Sequence, residues 1–281
     1  MTKRVLTLLI LLTLICSLLV SCANKNAATT DETTAPAPEE TTTSEAPAEG
    51  ETPKAPAGQV FYSLSDDGTY AIAYAFSGNL STITIDSMYQ DVPVKEISEG
   101  AFKNNANVTE IILPEGITKI HDSAFEHCIN LKTINMPASV THIGKYAFSD
   151  TALETFIIPN GITKIEEGAF SASEDLISVT ISGTVTEIDR YAFYHCTALA
   201  DIKIADSVIS IGDSAFGQCL SLGTIVIPSS VNTIYANAFT KCNALNTIYF
   251  KGSAEQWANI QTVGGDTIST SASITYNYIP A

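Results

Sequence analysis

The sequence predicts a β-rich solenoid. In it, a parallel concave sheet of about eight short strands forms one wall of a stacked coil, and short strands and helical turns form the others. Three observations carry that expectation. The dipeptide Ala-Phe recurs with its Phe at 102, 125, 148, 170, 193, 216 and 239, at spacings of 23, 23, 22, 23, 23 and 23 residues. Between these marks the apolar residues alternate with period two, as in Leu131-Lys132-Thr133-Ile134-Asn135-Met136. That is the pattern of a strand with one buried face. The composition fits a surface of stacked hydroxyls: charged residues are 16%, against about a quarter in ordinary soluble domains. Lys and Arg number 14 and Asp and Glu 30, a net charge of −16. Such a balance excludes a nucleic-acid binder, which must neutralise phosphates, and docking on anionic lipid.

The elements follow in chain order. Residues 1–21 read as an export signal: Lys3 and Arg4 precede an apolar run from Val5 to Val20. A membrane-spanning anchor is the rival reading, since no charge appears between Arg4 and Lys25. The run ends in Leu19-Val20-Ser21-Cys22, which resembles the bacterial lipobox. The resemblance implies that Cys22 carries a lipid through its thiol and becomes the mature N-terminus. Residues 22–58 form a Thr/Pro/Glu-rich tether without aromatic or large aliphatic residues, as in Thr33-Thr34-Ala35-Pro36-Ala37-Pro38-Glu39-Glu40. It cannot bury enough apolar surface to offset chain entropy. Its prolines and like charges favour an extended spacer.

Residues 59–100 read as an N-terminal cap with a first degenerate repeat, Leu80-Ser81-Thr82-Ile83-Thr84-Ile85. Asp66-Asp67-Gly68 marks a hairpin turn within it. Residues 101–250 are the repeats. An aliphatic residue follows most of the Phe positions by six residues, but follows Phe148 by five, at Leu153. This locates a one-residue deletion between Ser149 and Ala152. Pro at 114, 137, 159 and 228 ends the strand, and a second apolar pair, as in Val140-Thr141-His142-Ile143, returns along the opposite wall. The Ala-Phe segment closes the coil. The unit from Ile211-Gly212 through Cys219 and Leu222 to Ile227-Pro228-Ser229-Ser230-Val231 resembles the 23-residue leucine-rich repeat of the BspA-like bacterial surface proteins. The likeness implies a leucine-rich repeat solenoid. Residues 251–281 are the C-terminal cap; Tyr249-Phe250-Lys251-Gly252 through Gln256-Trp257 is similar to the closing motif of such domains.

Four cysteines remain in the repeats, Cys128, Cys196, Cys219 and Cys242, each three residues after a repeat Phe. They read as a ladder of buried thiols acting as small hydrophobes, with a stress-induced bridge as the alternative. His127 and His195 precede two of them but lie three coils apart and cannot converge on a metal or a nucleophile. No catalytic residue, metal site or cofactor motif is read, and the chain is taken as non-enzymatic. The candidate protein-binding positions point outward from the concave strands. They are Thr82, Thr84, Glu110, Ile112, Thr133, Asn135, Thr155, Ile157, Ser178, Thr180, Asp201, Lys203, Thr224, Val226, Thr247 and Tyr249. Ile112, Ile157, Val226 and Tyr249 are the expected anchors. The family resemblance implies adhesion to a host or neighbouring-cell surface protein. The expected molecule is a monomer, facing outside and tied to the bacterial membrane by its N-terminal lipid. The alternative is a glycan- or envelope-binding module.

Overall fold

The computed structural model describes residues 58–264 and 272–280. The segment read as an export signal, Cys16, the expected lipid-attachment residue Cys22 and the expected tether as far as residue 57 lie outside the described residues, and Gly58 already begins the first strand. Each coil contributes a strand to a first wall, a strand to a second wall, and a run of turns to a third. On the first wall, nine strands are described, from Thr82–Thr84 to Ser273–Thr275. The last of these comes from the C-terminal tail and extends the expected set of about eight. Equivalent residues pair in parallel register, as Phe156 with Val179 and Val179 with Ile202. The second wall runs from Val92–Ile97 through Lys119–Ile120 and His142–Ile143 to Gln261–Val263.

The first wall is one series of strands but not one ladder. Hydrogen-bonded pairing stops between Thr133–Ile134 and Thr155–Ile157, and again between Asp201–Lys203 and Thr224–Ile227. The second wall parts once, between His142–Ile143 and Lys164–Ile165. On both walls the first interruption falls where the repeat is 22 residues instead of 23.

The third wall corrects one expectation. The Ala-Phe segments are not helical; each is a chain of turns in which residues two before and two after the Phe adopt left-handed backbone, with φ between 54° and 63°. Ser123 and His127, Tyr191 and His195, and Ser214 and Gln218 are examples. Alternating hands turns every second N–H along the coil axis. Phe125 N donates to Ala147 O (2.9 Å), Phe148 N to Ala169 O (2.8 Å) and Phe193 N to Ala215 O (2.8 Å). The other N–H groups close turns within the coil, as Cys128 N to Phe125 O (3.1 Å). This ladder continues across the short repeat without a gap. Gly168 shares this left-handed backbone, and a Cβ there would press on the ring of Tyr146.

Inside, the repeat phenylalanines form a continuous stack. Ring centroids of Phe102, Phe125, Phe148, Phe170, Phe193, Phe216 and Phe239 are 5.2–5.6 Å apart at interplanar angles of 5–12°. The four cysteines are buried and unbridged. They do more than fill space. Each Sγ donates to the Phe carbonyl of the preceding coil: Cys128 to Phe102 (3.1 Å), Cys196 to Phe170 (3.1 Å), Cys219 to Phe193 (3.2 Å) and Cys242 to Phe216 (2.9 Å). In the same column Ser173 Oγ donates to Phe148 O at 2.9 Å. Burial pushes the Cys128 thiol up to about 12 and holds Cys196 protonated as well.

Both ends are closed. β1 (Gly58–Leu64) and β2 (Ala71–Gly78) form an antiparallel hairpin, and β2 pairs with Val92–Ile97. Asp67 shapes the expected turn by accepting from Ser65 Oγ and from Thr69 N. At the other end α1 (Ala254–Ala258) starts on a capping box of Ser253 and Gln256. Its Trp257 meets the edge of Phe250 at 5.0 Å.

Candidate interaction surface

All sixteen outward positions named from the sequence lie on the solvent side of the first wall, and none is buried. Their inward neighbours, such as Ile83, Ile111, Val179 and Ile248, are buried, as period-two alternation requires. The face is a field of Thr, Ser and Asn with few charges, Glu110, Asp201 and Lys203 among them. Two aliphatic side chains stand free on it: Ile112 is 39% exposed and Ile157 70%. The other two expected anchors are less available. Val226 is half-buried, and Tyr249 packs at 4.4 Å against the tilted ring of Tyr278 in the C-terminal tail. The chain end therefore covers part of the aromatic that sequence reasoning counted as free.

The interruption at the short repeat shapes this face in a way the sequence did not reveal. Ile134 and Met136 occupy inward positions whose equivalents are buried in the other repeats, yet both are half-exposed. They border an open cleft of about 570 Å³ together with Phe156, Ile157, Ile158 and Pro159. Asn135 closes the opposite side of the same strand. Its side-chain amide takes the place of the ladder, accepting from Leu113 N at 2.7 Å and donating to Leu113 O at 2.8 Å.

The buried carboxylates serve the walls. Glu96, 6% exposed, accepts from His121 Nε2 at 2.8 Å and faces Lys119 Nζ at 3.3 Å. Burial alone would raise its pKa, but the donors His121, Lys119 and Tyr70 outweigh burial and hold it below the usual carboxylate value. Glu167 is held low by Arg190 at 2.8 Å, with Tyr146 and Lys145 adding to the effect against the cost of burial. Each carboxylate is saturated by donors and has no free oxygen aimed at a cavity. His127 Nδ1 sits 2.7 Å from Asp150 of the next coil, and His195 is 3.9 Å from Glu174. The two histidines stay apart, as their repeat positions require.

The sequence matches the family model described as "BspA type Leucine rich repeat region (6 copies)" over residues 63–177 and 163–281. Among solved structures, a leucine-rich repeat protein of T. pallidum is similar at a TM-score of 0.53 and 22% identity, over 68% of this chain and 82% of that one. A leucine-rich repeat protein of Eubacterium ventriosum aligns at 0.46 and 20% identity, over 67% of this chain and 69% of that one. A leucine-rich cell surface protein of Faecalibacterium prausnitzii aligns at 0.36 and 22% identity, over 73% and 96%. The first of these likenesses supports the solenoid fold. No curated protein matches the sequence.

Proposed function

The chain belongs to the BspA-type leucine-rich repeat family, and from that membership we propose that it is a non-enzymatic bacterial surface protein that binds other proteins. Its first wall is the binding face. The carrying observation is the outer face of that wall, a nearly uncharged sheet of hydroxyls from which Ile112 and Ile157 project. Stacked repeats commonly use such an extended face for partners. Exposed aliphatics surrounded by neutral polar groups suit a protein contact better than a glycan, which needs an aromatic platform. The aromatic of this face, Tyr249, is engaged by Tyr278. Cys22 is the point of lipid attachment, and the acidic Thr/Pro/Glu tether holds the solenoid away from the membrane, facing outside. The partner is a host or neighbouring-cell surface protein, and the function is adhesion.

The test is capture of surface proteins from host and bacterial extracts by the full chain and by its Ile112→Asp, Ile157→Asp, Tyr249→Asp variant. Desolvating three carboxylates in an apolar contact should abolish capture. The circular dichroism spectrum should be unaltered, because the three side chains lie outside the core. Undiminished capture by the triple variant would move the binding face elsewhere.

A further inference from the structure

The short repeat does more than relax the solenoid. Where coils are 23 residues apart, the first wall either pairs or stays closed. At the second interruption, between Asp201–Lys203 and Thr224–Ile227, the inward residues Ile202 (5%), Ile204 (6%), Ile225 (2%) and Ile227 (0%) remain buried. At the 22-residue spacing the wall opens. The strand Thr133–Ile134 has its ladder neighbour on one side alone, Glu110–Ile112, and Thr155–Ile157 has its neighbour on the other, Ser178–Thr180. Two strand edges therefore face each other across the apolar cleft, with Ile157 standing at its lip.

Resting on the protein-binding reading above, we propose that this seam is a peptide-binding site for an extended, uncharged segment of another protein. The segment lays its main chain along a free strand edge and inserts one aliphatic or aromatic side chain between the parted strands. The edges supply the recognition of an extended backbone, as in strand addition to open sheets. The lining supplies the recognition of the side chain. Its polar members, Thr155, Asn160, Thr180 and Ser182, are all neutral. A charged residue entering the cleft would lose hydration without meeting a counter-charge. The net charge of −16 sets two copies of the chain in mutual repulsion and disfavours acidic segments. The occupant is therefore a foreign, neutral segment rather than a second copy.

The probe is an end-blocked, fluorescently labelled pentapeptide, Thr-Val-Leu-Val-Thr, titrated by anisotropy against the full chain. Saturable binding is expected. It should weaken at least about tenfold when the central Leu becomes Glu or Lys, or when its flanking amides are N-methylated, because each change leaves a polar group unpaired. Met136→Glu should weaken it by a similar factor. Ala138→Trp, at an exposed position on the cleft, should block it without touching the core, so a folding defect in the first variant does not decide the matter. Absence of saturable binding, equal affinity for the Glu-centred peptide, or full binding by Ala138→Trp would overturn the proposal. If Ala138→Trp binds normally while the Ile112, Ile157, Tyr249 variant loses partner capture, the seam falls and the face stands. If capture survives both, the protein-binding face falls as well.

Discussion

Replacing Cys196 by Ala and by Ser separates two accounts of the thiol column. If the thiols only fill space, Ala is the milder change and Ser, which buries a hydroxyl, the harsher. The geometry argues the reverse order. Cys196 Sγ is buried and donates at 3.1 Å to the carbonyl of Phe170. That carbonyl belongs to the turn wall, where it also accepts from Ser173 N at 3.3 Å. Ala therefore removes one of its two donors, at a cost of roughly 0.5–1.5 kcal/mol, and about one methylene's worth of packing, ~0.8 kcal/mol. The sum is about 1–2 kcal/mol. Ser keeps a donor in place, as Ser173 already does toward Phe148 at 2.9 Å, and should cost no more than the packing loss, ~0.8 kcal/mol. Urea denaturation of both variants, followed by circular dichroism, reads the difference as a shift in midpoint at constant slope. A Cys196→Ala protein as stable as Cys196→Ser, or more so, would refute the donor role and restore the thiols as plain hydrophobes.

The Phe stack and the buried carboxylates give two further expectations. Phe193 is fully buried and stacks at 5.4 Å on both Phe170 and Phe216, so Phe193→Ala should lower stability by ~3–5 kcal/mol; an unchanged thermal melt would contradict its place in the core. Glu96 titrates below its ordinary value of 4.5 in the folded chain, so its contribution is fully present above pH 4.5 and is lost as pH falls through the depressed folded value. Glu96→Gln should flatten that acid limb in melts taken from pH 6 down to about 3; a limb of undiminished steepness would assign the acid sensitivity to other carboxylates.

Much of the molecule was legible because a solenoid repeats its own evidence. A single Leu-x-x-Ile-x-Ile could be a strand on any fold, but the same columns across the coils leave one way to stack them. Register then follows, since equivalent residues must pair, as Ile188 does with Ile211. The turn wall was harder to read. Its left-handed positions are held in places by Gly100, Asn104, Asp150, Gly168 and Asn237, residues that tolerate that conformation. The same columns also carry Tyr146, Tyr191, His195 and Lys241, so the backbone demand is hidden behind side chains that do not advertise it. Tertiary hydrogen bonds along the axis, invisible in a local window, impose it.

The deletion between Ser149 and Ala152 was visible in the spacing, but its consequence was not, because the residue is lost on one wall and missed on the others. The turn ladder is the part that holds: Tyr146 N still donates to Glu167 O at 3.0 Å and Phe148 N to Ala169 O at 2.8 Å, and Phe148 remains 5.6 Å from Phe170. With that wall pinned, the shorter link from Phe148 to Leu153 leaves less chain to carry the coil round to the first wall. The strand Thr155–Ile157 then cannot reach its neighbour in register. Phe156, in a column otherwise filled by Ile and Val, turns its ring into the space between Phe148 and Phe170, at 5.3 and 4.7 Å. The core is thus refilled from within, while Ile134, Met136 and Ile157 remain uncovered at the surface. Restoring one residue between Ser149 and Ala152 should let the strand reach its neighbour in register, close the ladder and bury Ile134 and Met136. The irregular coil, not the regular ones, is where this solenoid differs from a uniform stack, and it is there that the open strand edges and the exposed aliphatics coincide.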